Sequence, residues 1–106
     1  MPKVNHNRIR QKYSAKPTER EKQFHRWCID NFPCACGCGC PSEIAHHVLS
    51  SMPEKRWRRD HEVVVPLTAE HHFDLHLGNA RQIEAEWGVP ERAVELRKQA
   101  YECYVL

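Results

Sequence analysis

The chain has 106 residues, the length of a single domain, and its formal net charge at pH 7 is +2. Hydrophobic residues make up 41% of the chain, which excludes a collagen-like protein and argues against a wholly disordered one. No apolar run approaches the roughly 18–20 residues of a membrane span, and the first ten residues lack the apolar core of a signal peptide. We therefore expect a cytoplasmic protein with no membrane segment, whose modest core is stabilised by bound metal.

The charge is distributed unevenly along the chain. Residues 1–26 contain eight basic and two acidic residues, a net charge of +6, which leaves −4 for residues 27–106. Residues 1–16 are polar and basic without apolar periodicity, so we predict a disordered arm followed by a single domain over residues 17–106. Basic residues attract polyanions, most simply nucleic acid. The candidate DNA contacts in this arm are Arg8, Arg10 and Lys12.

The first half of the domain contains one predicted helix and two extended segments. The helix begins near Thr18, because Thr18 and the glutamate three residues later fit a capping box, and Pro33 ends it. A short extended segment is predicted over residues 43–48 and a polar, basic loop over residues 49–60. Residues 62–67 are rich in valine and end in a proline-containing turn signal, which is typical of a strand.

The second half of the domain is predicted to be helical, which makes the fold α+β. Thr68 caps a helix that runs to about Leu77, and Asn79 opens a short helix that ends at Gly88. Pro90 stands at the start of a last helix. The residues of this helix that are predicted to pack inward are Val94, Leu96, Ala100 and Tyr104.

Cysteine is concentrated in one short segment, in which Cys34, Cys36, Cys38 and Cys40 alternate with alanine and glycine. Disulfides between residues two apart are geometrically strained, and we expect a protein that is not secreted. The spacing therefore favours thiolate ligands of a metal over a disulfide framework. Cys28 and Cys103 are isolated, and we expect them to be packing or helix-surface residues.

Histidine is concentrated as well, since six of the eight histidines fall between residues 46 and 76. His72 and His76 are four residues apart on a predicted helix, so their rings lie on one face and can share a metal ion. His46 and His47 end a preceding extended segment. This arrangement of strand, strand and helix is typical of a ββα-metal site.

Three motifs together carry a family resemblance. The segments PSEIAHH at 41–47, DHEVVVPL at 60–67 and HHFDLHLG at 71–78 resemble the HNH nucleases, and most of all the phage recombination-enhancement, RecA-dependent nuclease family. The resemblance covers roughly residues 16–95. It implies a small ββα-metal core with an N-terminal helix, a cysteine-rich zinc knuckle and covering C-terminal helices. It also implies metal-dependent hydrolysis of DNA phosphodiester bonds in phage or prophage recombination.

The resemblance also assigns roles to single residues. His47 would be the general base that activates water. His61 stands where the family has an asparagine that fixes the loop and orients the base, and Asp60 would share this role. The active-site ion would be Mg²⁺, with Zn²⁺ or Mn²⁺ as alternatives. Its ligands would be His46, His72 and His76.

The structural zinc has two possible ligand sets. Related domains use a Cys-x-x-His motif at the start of the metal helix, but here that position is Thr68, which has no thiolate. A four-coordinate zinc would then take His71 and three of the four cysteines in the segment. The alternative is a site made of the four thiolates alone, with His71 only packing beside it.

The expected partners are DNA and a recombinase filament. A second basic cluster lies in the predicted loop, next to Trp57, and basic residues beside an aromatic suit a nucleic-acid backbone. Its members are Lys55, Arg56, Arg58 and Arg59. The competing hypothesis is a zinc-stabilised DNA-binding module without catalysis, which would have no use for an unliganded His47 beside a metal. The oligomeric state stays open.

Overall fold

A computed structural model describes residues 16–106 of the chain. The predicted basic arm lies outside the described residues except for Lys16, and so do Arg8, Arg10 and Lys12. The described part is a small α+β domain with four helices and one two-stranded antiparallel sheet. Its elements are α1 (Glu19–Asn31), β1 (Ile44–His47), β2 (Val64–Leu67), α2 (Ala69–Leu77), α3 (Ala80–Trp87) and α4 (Val89–Glu102).

Helix α1 begins with the predicted capping box. The Thr18 side chain accepts a hydrogen bond from the backbone N–H of Glu21 at 3.1 Å, and the Glu21 carboxylate accepts one from the Thr18 N–H at 2.8 Å. Phe24 and Cys28 form its buried face, which contacts both strands. Cys28 is completely buried and is a core residue, as expected. This burial raises the pKa of its thiol to about 12.

The two strands pair from Ile44 opposite Leu67 to His47 opposite Val64. All four residues of β2 are buried, because α1 and α4 both pack against this strand. The strand is shorter than predicted. Its first two predicted residues form a turn in which the Val63 N–H donates to the Asp60 carbonyl at 3.0 Å.

Helices α2 and α3 begin and end at the predicted residues. The Thr68 hydroxyl accepts from the His71 N–H at 3.0 Å, and the Asn79 side chain caps α3 in the same way. Gly88 ends α3 in the left-handed conformation, with φ 68°, and α4 follows directly. No helix between residues 16 and 106 combines the length and the apolar character that a membrane crossing requires.

The prediction for the end of α4 is wrong at one position. Leu96 and Ala100 are buried, but Tyr104 is 94% exposed. The helix ends at Glu102, and the chain turns back so that the Val105 N–H donates to the Ala100 carbonyl at 2.8 Å. Tyr104 therefore lies in the turn after the helix, with φ 59°, and is not part of the buried face of α4.

Candidate metal and histidine centres

Three of the four clustered cysteines surround one histidine. Nδ1 of His71 lies 3.5, 3.3 and 3.6 Å from the sulfurs of Cys34, Cys36 and Cys38, respectively. Zinc bound tetrahedrally, with Zn–S about 2.3 Å and Zn–N about 2.0–2.1 Å, places neighbouring ligand atoms about 3.5–3.8 Å apart. These four residues could therefore hold a metal ion, as expected for a structural zinc.

The backbone of the cysteine segment explains how it wraps around one point. Gly37 and Gly39 have φ values of 93° and 79°, a conformation that residues with a Cβ rarely adopt. The Ala35 N–H donates to the Pro66 carbonyl at 2.8 Å, which ties the segment to the end of β2. Because α2 begins just after β2, this contact brings the cysteines to the first turn that carries His71.

Cys40 lies outside this group of ligands. Its backbone N–H donates to the Cys38 sulfur at 3.4 Å and thereby lowers the pKa of the Cys38 thiol. Cys40 is itself exposed. The four residues that could hold a metal ion are therefore three cysteines and His71. In the alternative with four thiolates, His71 would only pack beside the site.

A second group consists of His46, His72 and His76, whose ligand atoms lie within 4.8 Å of one another. The Nε2 atoms of His72 and His76 are 3.1 Å apart, because four residues make about one helical turn. His46 approaches from β1, with its ring centroid 5.1 Å from that of His72. Burial lowers the pKa of His72, which favours the neutral imidazole that a metal requires.

His46 is oriented by a buried carboxylate. Its Nε2 lies 2.6 Å from a carboxylate oxygen of Glu84 in α3, and both side chains are almost completely buried. The same carboxylate accepts hydrogen bonds from the backbone N–H groups of Leu49 and Ser50 at 2.8 and 2.9 Å. Although burial opposes ionisation, these bonds together lower the pKa of Glu84 to about 2.

A third group contains His25, His47 and His61. Nε2 of His47 and Nδ1 of His61 are 2.8 Å apart, so they share one proton in a hydrogen bond. Nε2 of His25 donates to the backbone carbonyl of His61 at 2.7 Å, since a carbonyl can only accept. Ligand atoms of this group also lie close enough for a metal ion, but the donation to the carbonyl occupies the Nε2 of His25.

The environment of His47 keeps its imidazole neutral. Burial, together with the positive charge of nearby Arg59, lowers the pKa of His47 to about 3. His47 is therefore uncharged at neutral pH. It directly follows His46, so the neutral imidazole and the three-histidine group are adjacent along β1.

Asp60 fixes the loop that precedes β2. Its carboxylate accepts from the backbone N–H of Arg56 at 2.8 Å and from the N–H of Glu62 at 3.0 Å. It also forms an ion pair with the Arg56 guanidinium at 2.8 Å. Burial opposes ionisation, but these bonds lower the pKa of Asp60 to about 2. Asp60 thus holds the loop on which His61 stands.

The four basic residues predicted to contact DNA divide into two pairs. Lys55 donates to the backbone carbonyls of Val48 and Ser50 at 3.0 and 3.3 Å, and Arg56 is paired with Asp60. Both side chains therefore stabilise the loop. The other two are exposed to solvent: Arg58 and Arg59.

Sequence reasoning did not single out His25 or Glu84 as site residues. His25 meets His61 across 36 residues, and Glu84 meets His46 across 38. Neither contact has a local signal in the sequence, because each one joins residues from different parts of the chain. No known protein family matches the chain, and no curated protein or solved structure is significantly similar to it.

Proposed function

We propose that the protein is a metal-dependent endonuclease of the HNH type that hydrolyses DNA phosphodiester bonds. One observation carries the proposal: a neutral His47 is adjacent in sequence to a group of three converging histidines and is held by His61. The order of the elements, an antiparallel strand pair followed by a helix with two of these histidines, supports a ββα-metal core.

The three-histidine group fits a catalytic metal. Three protein ligands are typical of catalytic sites, because further coordination positions stay open for substrate oxygens. A divalent ion held there would stabilise negative charge on the scissile phosphate and the leaving oxygen. Imidazole ligands favour Zn²⁺ and other transition metals over Mg²⁺. The residues that would hold the ion are His46, His72 and His76.

His47 would act as the general base. In this role it carries its proton on Nε2 and donates it to Nδ1 of His61, which leaves the lone pair on Nδ1 of His47 to accept a proton from water. The bond from His25 to the His61 carbonyl holds the backbone of this partner in place. His61 and His25 are therefore positioning residues. Asp60 acts indirectly, because it holds the loop that carries His61.

The DNA backbone would bind near Arg58 and Arg59, which are both exposed. Arg59 lies close enough to His47 to lower its pKa. The charges of the two arginines attract phosphates without reading the sequence of bases. A role in phage or prophage recombination, with a recombinase filament as partner, belongs to the proposal through the resemblance of the motifs.

A nicking assay on supercoiled plasmid DNA tests the proposed function. Wild-type protein should nick DNA with added Mg²⁺, Mn²⁺ or Zn²⁺ and should stop when a chelator is added. His72→Ala and His76→Ala should lose nicking, whereas Asp74→Asn, an exposed change on the same helix, should keep it. Single-stranded and displaced-loop DNA, with and without a recombinase filament, would reveal the preferred substrate. DNA binding without any nicking would favour the non-catalytic zinc module instead.

A further inference from the structure

A cavity of about 300 Å³ lies beside the basic loop, between the end of β1 and the start of α3. Its apolar lining comes from Leu49, Met52 and Trp57. Leu49 is 38% exposed, so part of this apolar lining faces solvent. Ligand pockets typically start at about this volume and are mostly apolar, with a few polar groups that fix orientation.

The charged groups that line this cavity are all cationic, and the remaining polar residue is Ser51. The cations are Lys55, Arg58 and Arg81. Lys55 uses two of its three N–H donors on backbone carbonyls, which leaves one donor. Within residues 16–106, neither Arg58 nor Arg81 takes part in a hydrogen bond or ion pair. Each guanidinium can therefore bind an anionic group at the cavity mouth. Together, Arg58 and Arg81 can bind one phosphate through paired N–H donors.

The aromatic surface makes the cavity suited to more than an inorganic anion. The Trp57 ring lines it, and the Arg56 guanidinium lies 6.0 Å from the ring centroid. Proteins that bind single-stranded nucleic acid combine basic residues that follow the backbone with aromatic rings on which bases stack. A lone phosphate would need the cations and would gain nothing from Leu49, Met52 and Trp57.

From this combination we infer that the cavity binds one unpaired nucleotide of a DNA strand, with its base against Trp57 and its phosphate on Arg58 and Arg81. This inference rests on the proposed function, because DNA as the ligand follows from the proposed nuclease activity. It adds a preference for DNA in which a base has left the duplex stack.

The cavity is also linked to the three-histidine group. Leu49 lines the cavity, and its backbone N–H donates to the same Glu84 carboxylate that binds His46. Leu49 lies three positions after His46, so their Cα atoms are at most about 10 Å apart. A DNA strand with one nucleotide in the cavity would therefore place a neighbouring phosphate near the three-histidine group.

Fluorescence anisotropy with three labelled DNAs tests the inference, without added divalent metal so that the DNA stays intact. The probes are a fully paired duplex, the same duplex with one bulged adenine, and the same duplex with an abasic bulge. Wild-type protein should bind the bulged adenine about 5- to 150-fold more tightly than the abasic bulge, the range expected for stacking of one base. Deoxyadenosine monophosphate should compete for the bulged probe.

Variants separate stacking from charge. Trp57→Ala should remove the preference for the bulged adenine, and Trp57→Phe should keep most of it. Arg81→Gln should weaken binding of the bulged probe more than Arg20→Gln does, which removes the same charge from an exposed position on α1. The comparison of the two bulges uses wild-type protein alone, so it stands even where Trp57→Ala fails to fold.

Equal affinity of wild-type protein for all three DNAs, with nicking activity retained, would overturn the inference and leave the proposed function intact. Equal effects of Arg81→Gln and Arg20→Gln would overturn the placement of the phosphate. Absence of binding to every DNA, together with absence of nicking, would overturn both proposals at once.

Discussion

Glu84 is completely buried, and its hydrogen bonds go to His46 and to the segment that follows β1. A carboxylate that accepts from a ligating histidine fixes the orientation of the ring and raises its basicity. Losing such a partner typically costs 10- to 100-fold in metal affinity, by rough order of magnitude. We therefore expect Glu84→Gln to weaken metal binding at the three-histidine group by about this factor.

The measurement is a calorimetric titration with Mn²⁺ or Zn²⁺ of protein whose cysteine site is already loaded. Glu86→Gln is the matched control, because Glu86 lies on the same helix but is exposed. Thermal unfolding of both variants separates loss of metal affinity from loss of structure. Unchanged affinity in a folded Glu84→Gln protein would mean that the carboxylate serves only to anchor the chain after β1.

Two cysteines of the cysteine segment should behave differently when each is replaced. Cys38→Ser should lose the structural zinc and lower the melting temperature, whereas Cys40→Ser should retain both. The physical reason is that the Cys38 sulfur lies 3.6 Å from Nδ1 of His71, while Cys40 is not among the four residues whose ligand atoms converge. Because metal binding at a structural site contributes directly to folding, zinc content and stability should change together.

Elemental analysis of the two purified variants, with thermal melts before and after a strong chelator, provides the readout. Equal zinc loss in Cys38→Ser and Cys40→Ser would indicate a site with four thiolates. A wild-type melting temperature that the chelator does not change would show that no structural metal is bound.

Asp60 stabilises the loop before β2, and its contribution to the free energy of unfolding should vary with pH. The pKa of Asp60 is lowered from 3.8 to about 2, so the folded state favours the ionised carboxylate. The resulting stability is fully present above pH 4–5 and is lost as the pH falls towards 2. It amounts to about 2 kcal/mol at neutral pH, since one pKa unit corresponds to about 1.4 kcal/mol.

Urea denaturation of wild-type protein and Asp60→Asn from pH 5 to pH 3 measures this contribution. The wild-type protein should be more stable at pH 5, and the difference should fall by roughly half by pH 3. Arg56→Gln, which removes one partner and leaves the backbone N–H donors, should show a smaller effect. A difference between wild type and Asp60→Asn that stays constant over this range would contradict the assignment.

At the scale of the whole molecule, the starts and ends of the helices could be predicted because their signals are local. Thr18, Thr68 and Asn79 cap helices with their own side chains, and Gly88 adopts the left-handed conformation that ends α3. The grouping of His72 with His76 follows from helical periodicity alone. These features depend on residues no more than four positions apart.

The contacts that complete the sites could not be predicted in the same way. Glu84 reaches His46 only because α3 packs between α2 and α4, and His25 reaches His61 only because α1 packs on the sheet. Neither contact leaves a periodic pattern in the sequence. The error at Tyr104 has a similar origin, since helical periodicity does not show where tertiary contacts reverse the chain.

In the proposed mechanism, His47 is the base beside a metal held by other histidines. The most direct measurement is the single-turnover rate of DNA nicking by His47→Ala, with metal content determined on the same sample. We expect the rate to fall by about 10²- to 10⁴-fold, the usual contribution of a general base, with metal binding and fold unchanged. Nicking at the wild-type rate by a folded, metal-loaded His47→Ala protein would contradict the claim.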